Sequence, residues 1–252
     1  MAGASVPLTL RMPYLSLALV LGSAVTRLRL YQTAERFRSP SPARALTQLA
    51  RWCRWACPRL GVDVHVVGTP AHQCCLYVSN HRSYLDVPVL TGVLAATFLG
   101  RADVAGWPLI GTVARFTEAV LVERDDTRDR MRAARRLMRR LRHGSVVVFP
   151  EGTTTGAPLP QPFHPGTFRL VQRLDVPIIP VTVRYSDRRA YWVEDLTPWQ
   201  HLTTRVLRGA PLRVAVELGA PLHANEYNDA DSLGAAVYAA VCRPIERRGE
   251  LA

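Results

Sequence analysis

Residues 74–86 read Cys-Cys-Leu-Tyr-Val-Ser-Asn-His-Arg-Ser-Tyr-Leu-Asp. The first six, Cys74–Ser79, are an apolar run of strand length, and polar residues then break it. His81 and Asp86 lie five apart in the polar part. On one strand they would point to opposite faces about 17 Å apart. On one helix they would be separated by about 140°. They meet only if His81 occupies a turn and Asp86 the first turn of a following helix. A strand that opens into a helix is the repeating unit of an α/β layer, and its carboxyl end is where such sheets place their sites.

Six more runs outward from this one read as strands: Val62–Val67, Thr97–Gly100, Glu118–Val122, Ser145–Phe149, Pro177–Arg184 and Leu212–Leu218. Val146–Phe149 and Ile178–Val181 are apolar without alternation, as in strands covered on both faces. Helical stretches lie at Thr127–His143, Gly166–Leu174 and Asp231–Arg247. In the first of these, Met131, Ala134, Leu137, Met138 and Leu141 fall on one face, and eight arginines crowd the rest. The expected fold is α/β, a mixed sheet of about seven strands flanked by helices.

The chain has 252 residues and is 48% hydrophobic, enough for one sizeable core. Its formal charge is +12, and all 32 basic residues are Arg, which excludes any Schiff-base lysine. A basic surface suits an anionic partner, a lipid surface or a nucleic acid. No zinc-finger spacing and no aromatic RNP-like strand accompanies the arginines, so nucleic acid is not the expected partner. Five cysteines, an odd number in a chain of this size, imply no disulfide framework. Cys53 and Cys57 are four apart, but no second ligand pair at zinc spacing follows, so no metal is expected.

Residues 12–25, Met-Pro-Tyr-Leu-Ser-Leu-Ala-Leu-Val-Leu-Gly-Ser-Ala-Val, are apolar and flanked by Arg11 and Arg27. As a helix they rise about 21 Å, short of the roughly 30 Å hydrocarbon core. The preferred reading is a helix that dips into one leaflet, with Arg27, Arg29, Arg36 and Arg38 at an anionic surface. A signal peptide and a buried core helix are the other readings. Residues 43–58 carry Trp52 and Trp55 among Arg44, Arg51 and Arg54, which suits either the membrane interface or a helix packed on the core.

The candidate chemistry rests on two segments. In Asn80–Asp86, an Asp carboxylate on one imidazole nitrogen would fix the tautomer and leave the other free to take a proton. Ser83 invites a serine nucleophile, but no Gly-x-Ser-x-Gly elbow is present. In Phe149-Pro-Glu-Gly-Thr153, Pro150 ends a strand, Gly152 lets backbone approach a ligand, and Glu151 would project at the sheet edge.

Together these segments resemble the glycerolipid acyltransferase family, whose bacterial members make phosphatidate from lysophosphatidate. The family's first motif, Asn-His-x-x-x-x-Asp, is matched by Asn80, His81 and Asp86. Its second, an Arg after a strand, is matched by Arg124 in Val120-Leu-Val-Glu-Arg. Its third, Phe-Pro-Glu-Gly-Thr, is matched by Phe149 to Thr153. Its fourth, a Val-Pro-Ile-Ile-Pro-Val run, is matched by Val176 to Val181. Order and spacing agree across about residues 80–181.

The resemblance implies direct acyl transfer from acyl-CoA or acyl-carrier protein to a lysophospholipid hydroxyl. His81 would be the general base and Asp86 its orienting partner. Arg124, Glu151, Gly152 and Thr153 would bind the acceptor or shape its site. No prosthetic group is implied. It also implies membrane-associated helices ahead of the catalytic domain: residues 1–60 as that segment, 61–252 as the acyltransferase domain, at the cytoplasmic face of the cell membrane.

Lysophosphatidate is the first expected acceptor. Two departures bring in lyso-ornithine lipid or another lysolipid. Thr154 and Thr155 stand where many lysophosphatidate-using members have Arg and Ser, and His164 replaces the Lys of a Phe-Lys-x-Gly element, so two expected cations are missing. Arg101, where the family often has Lys, keeps one.

Overall fold

The computed structural model describes residues 41–106, 110–174, 176–193 and 195–248. The apolar stretch 12–25 and Arg27, Arg29, Arg36 and Arg38 lie outside the described residues. No helix among the described residues is long and apolar enough to cross a membrane.

Seven strands form one mixed sheet: β1 (Val62–Val67), β2 (Leu76–Ser79), β3 (Thr97–Arg101), β4 (Val120–Val122), β5 (Val146–Val148), β6 (Ile178–Tyr185) and β7 (Leu212–Leu218). Their order across the sheet is β1-β7-β6-β2-β5-β3-β4. β6, β2, β5, β3 and β4 are mutually parallel. β7 runs antiparallel to β6 and carries β1 parallel to itself. All seven expected runs are strands. Several are a residue or two shorter than their apolar runs, because backbone pairing ends before the apolar side chains do.

The helices are α1 (Pro42–Arg59), α2 (Asp86–Leu94), α3 (Ile110–Phe116), α4 (Thr127–Leu141), α5 (Gly166–Val171), α6 (Pro198–His201) and α7 (Ala230–Arg248). Local chemistry sets their ends. Ser41 caps α1 through its side chain with Pro42 in the first turn, and Asp126 caps α4 by accepting from the Arg128 amide. α2 stops at Ala95, which turns left-handed at φ 48° while its amide bonds the Thr91 carbonyl. The short α3 and α6 carry too little periodicity to be read from sequence.

Apolar residues fill both sides of the sheet. On one side α1 and α2 cover Tyr77, Val147, Ile179, Val181 and Val214 through Cys57, Val89 and Leu90. On the other, α4, α5 and α7 cover Leu76, Val78, Val146 and Ile178 through Leu137, Phe168 and Leu233. The interfacial reading of residues 43–58 meets a helix that is also core: Ala45, Leu46, Ala50, Cys53, Ala56 and Cys57 are buried. On α4 the contact is rotated from the expected face. Ala133, Leu137 and Leu141 are buried with the stem of Arg140, while Met131 is exposed in the first turns. All five cysteines are free, and burial raises the Cys57 thiol to about 11.

The parallel strands share one carboxyl edge. The β2–α2 connection, the segment 149–165 and the long excursion 186–211 all gather there, and they build the site.

Candidate active site

β2 and β5 are neighbours, with Val78 opposite Val148. Their carboxyl ends therefore deliver the Asn80–Asp86 segment and the Phe149–Thr153 segment side by side. Asn80, fully buried, fastens the first to β6: its side-chain amide donates to the Val183 carbonyl at 2.9 Å, and its oxygen accepts the Val183 amide at 2.7 Å.

His81 lies in the turn and Asp86 opens α2, so the pair meets. His81 Nδ1 is 2.8 Å from Asp86 Oδ2. Asp86 has no exposed surface. The same Oδ2 accepts the amides of Arg82 at 2.7 Å and Ser83 at 3.0 Å, and Oδ1 accepts the Tyr185 hydroxyl at 2.6 Å. Four donors thus hold one buried carboxylate, which is how a buried charge is accommodated. Burial first, then Asp86, pushes the Tyr185 phenol well above its ordinary value, so it stays a donor. An ionised Asp86 can only accept, so Nδ1 carries the proton and Nε2 keeps its lone pair. Among the described residues no group hydrogen-bonds Nε2. The ring lies flat on Phe149, centroids 4.0 Å apart, and the side chain is 19% exposed.

Ser83 is fully buried, and its hydroxyl accepts the Leu85 amide at 3.3 Å. It serves the turn and is shut away from any substrate, which counts against a serine nucleophile.

Glu151 sits beneath this turn. Oε1 accepts the His81 amide and Oε2 the Gln161 amide, each at 2.7 Å. Both oxygens are used inside the protein, so the carboxylate shapes the site from below. Burial raises its pKa above the ordinary 4.5, opposed by those two amides and by Arg82. Gly152 follows with φ 75°, and its carbonyl accepts from Arg124 Nη1. A Cβ there would stand 3.0 Å from that nitrogen and 3.3 Å from the His164 ring. Gly152 is thus the close-packed joint between Arg124 and His164. Thr153 is exposed next to it. Burial, then Arg101, lowers the pKa of Arg124.

Arg124, Gly152 and His164 line a groove of about 300 Å³ with Arg130. The rest of its wall is largely apolar: Leu99, Val122, Leu137, Val148 and Leu170 among others. Phe149 belongs to both places, one face under His81 and the ring in the groove wall. Cations at a mouth and hydrocarbon behind them match an amphiphile with a polar head and an apolar tail.

Sequence reading did not find Tyr185, Arg82 or the stacking of Phe149. Arg82 is buried, and its guanidinium donates to the carbonyls of Thr155, Ala157 and Pro158 at 3.1, 2.6 and 2.8 Å. The Thr155 amide returns a bond to the His81 carbonyl at 3.2 Å. No local pattern marks these residues, since their partners lie far away in sequence, Tyr185 from Asp86 and Arg82 from Thr155 among them. Among the described residues no group of three His, Cys, Asp or Glu could hold a metal ion.

Residues 63–184 match the Acyltransferase family profile. The lyso-ornithine lipid O-acyltransferase of Pseudomonas aeruginosa is 32% identical over 177 residues, 68% of each chain. That of Rhodobacter capsulatus is 34% identical over 201 residues, 75% of this chain and 72% of the relative. The crystal structure of the 1-acyl-sn-glycerophosphate acyltransferase PlsC from Thermotoga maritima superposes with a TM-score of 0.70 at 20% identity, covering 95% of this chain and 94% of that one. That likeness shows the shared fold, with its seven-stranded sheet between helices. The chain belongs to the glycerolipid acyltransferase family and is an acyltransferase of lipid biosynthesis.

Proposed function

We propose that this enzyme transfers a fatty acyl group from acyl-CoA or acyl-carrier protein to the free hydroxyl of a lysolipid, with His81 as general base. Nε2 takes the hydroxyl proton as the oxygen attacks the thioester carbonyl. The tetrahedral intermediate collapses and expels the thiolate, which takes the proton back from the His81 imidazolium, and the acyl ester remains on the acceptor. Asp86 holds the imidazole in the right tautomer and stabilises the imidazolium. The observation that carries the reading is the His81–Asp86 pair at 2.8 Å beside an apolar groove with arginine at its mouth. Written this way the reaction draws on no metal or prosthetic group.

Arg124 suits an anionic head because its planar guanidinium offers paired donors. Gly152 and Thr153 border the same place, and Glu151 keeps them in register with His81. Lyso-ornithine lipid is the acceptor favoured by two relatives that align over two thirds or more of both chains, whose names give that substrate. Lysophosphatidate is the second reading, favoured by the cluster of Arg124 and Arg130 at the groove. Lipid substrates and a charge of +12 support an anionic membrane surface as the place of work, and a cytoplasmic supply of acyl donors supports its cytoplasmic face.

The test is a labelled acyl-CoA assay in detergent or vesicles with lysophosphatidate, neutral-headed lysolipids and lyso-ornithine lipid, wild type beside His81→Ala. Label entering a diacyl product with wild type alone supports acyl transfer through His81, and the preferred acceptor decides between the two readings. No product with any acceptor, with acyl-CoA and then with acyl-carrier protein as donor, sinks it.

A further inference from the structure

We propose that Tyr185 is a positioning residue of the acyl transfer: its hydroxyl, seated on the second oxygen of Asp86, fixes the plane of that carboxylate and through it the ring of His81. The proposal rests on the reading of His81 as general base and adds what sets the geometry of its partner.

The two oxygens of Asp86 are held unequally. Oδ2 takes His81 Nδ1 and the amides of Arg82 and Ser83, all from its own turn. Oδ1 takes the Tyr185 hydroxyl at 2.6 Å, and no other donor reaches it among the described residues. The last torsion of an Asp side chain has a broad, roughly two-fold preference, so rotamer energetics do not choose the carboxylate plane. Donors gathered on one oxygen supply a pivot. A donor on the other oxygen supplies the second point, and two points fix the plane. Oδ2 then stays in line with Nδ1, and the imidazole is held in one orientation.

Tyr185 is itself held where it is needed. It closes β6 and is fully buried. Val183, two residues earlier on the same face of the strand, takes both bonds of Asn80. The residue before His81 therefore sets the register of the turn against β6, and the phenol arrives at Asp86. Tyr191 meets the Tyr185 ring edge-on, centroids 6.3 Å apart.

Residue type matters as much as place. An arginine or lysine on Oδ1 would neutralise the carboxylate and weaken its hold on the imidazolium. A phenol satisfies the oxygen and leaves the negative charge for His81. The other titratable groups facing the pair are Cys57 from α1 and Tyr84 from the turn, both kept protonated by burial. Glu151 and Arg82 lie around the His81 amide. None of these side chains donates to Asp86 among the described residues, so none can stand in for the Tyr185 hydroxyl.

The test is Tyr185→Phe in the full chain beside Tyr77→Phe. Tyr77 is the control: it is buried in the same core, its hydroxyl accepts the Ala71 amide at 3.0 Å, and it bonds neither His81 nor Asp86. Each variant loses one hydroxyl bond, so both melting temperatures should fall by a similar amount, about 2–4 °C. Only Tyr185→Phe should lose turnover, with kcat about ten-fold lower or worse and the KM of acceptor and donor unchanged. The acid limb of its kcat profile should also move to higher pH, because a buried carboxylate with a bare oxygen holds a proton more readily. Glu151 is the same in every variant and does not contribute to that movement. 3-Fluorotyrosine in place of Tyr185 keeps the ring and the hydroxyl and donates more strongly, so its acid limb should move to lower pH. This second variant carries the test if Tyr185→Phe does not fold. Unchanged kcat in Tyr185→Phe, an equal loss in Tyr77→Phe, a rise in KM alone, or an acid limb that stays in place in both Tyr185 variants overturns the proposal. His81→Ala as active as wild type would instead sink the general-base reading on which it rests.

Discussion

The main-chain amide of His81 donates to Glu151 Oε1 at 2.7 Å, across 70 residues of sequence. The Gln161 amide takes the other oxygen at the same distance, so one buried carboxylate ties the histidine turn to both ends of a loop. In Glu151→Gln one of the two amides faces an NH₂ group. The loss should be about 1–3 kcal/mol of stability, the usual cost of an unsatisfied buried donor. Because the group left loose is the backbone of His81, kcat should fall by about ten-fold or more at a temperature where the variant is still folded. Urea titration beside steady-state kinetics checks both, and unaltered kcat would mean that the clamp does not position the base.

The same residue gives a pH dependence. Burial raises the folded-state Glu151 carboxyl above its ordinary 4.5. A carboxyl raised on folding holds its proton better in the folded than in the unfolded chain. Its contribution is therefore most favourable below the unfolded value and is lost as pH climbs through the folded one. Glu151→Gln does not titrate. The unfolding free energy of wild type minus that of the variant should decrease as pH rises above the ordinary 4.5 and level off once the folded-state carboxyl is ionised. A difference that stays flat or grows would contradict the burial argument.

His81→Ala should lower kcat by about 10²–10⁴, and should also cost about 1–3 kcal/mol of stability, since Asp86 loses a donor and Phe149 its stacking partner. Asp86→Asn should fall in the same range by removing the charge that stabilises the imidazolium, and should also destabilise, because Oδ2 holds three N–H donors. Ser83→Ala should retain most activity, and abolition of turnover there would revive the serine-nucleophile reading.

Gly152→Ala puts a methyl 3.0 Å from Arg124 Nη1 on a backbone with φ 75°. The left-handed conformation alone costs about 1–2 kcal/mol. Arg124 must also shift, so the acceptor KM should rise more than the acyl-donor KM. Equal change in both would argue against Arg124 reading the acceptor head.

Arg82→Met removes three hydrogen bonds from a buried cation and leaves the carbonyls of Thr155, Ala157 and Pro158 unpaired. The expected loss is about 3 kcal/mol or more, read by thermal or urea melting. Arg82→Lys should recover only part of it, because a single ammonium cannot span three carbonyls in the guanidinium's fixed fork. Full stability in the lysine variant would show that charge, not geometry, is what the loop requires.

The strands were legible because each is a short apolar run bounded by polar or turn residues, and a strand covered on both faces leaves no other pattern. The His81–Asp86 contact was legible too, since five residues spanning a turn and a helix start is a local constraint. On α4, sequence gave the period but rotated the face, because neither Met131 nor Ala133 announces which side the sheet will take.

Strand order was beyond the sequence. Nothing in residues 74–86 says that β5 lies on one side of β2 and β6 on the other. That choice alone brings Glu151 beneath His81, Tyr185 onto Asp86 and Asn80 against Val183. Sequence set which residues could do chemistry, because residue type and local spacing are properties of a short stretch of chain. The tertiary structure decided which of them support one another, because hydrogen bonds and burial depend on neighbours that only the packed sheet supplies.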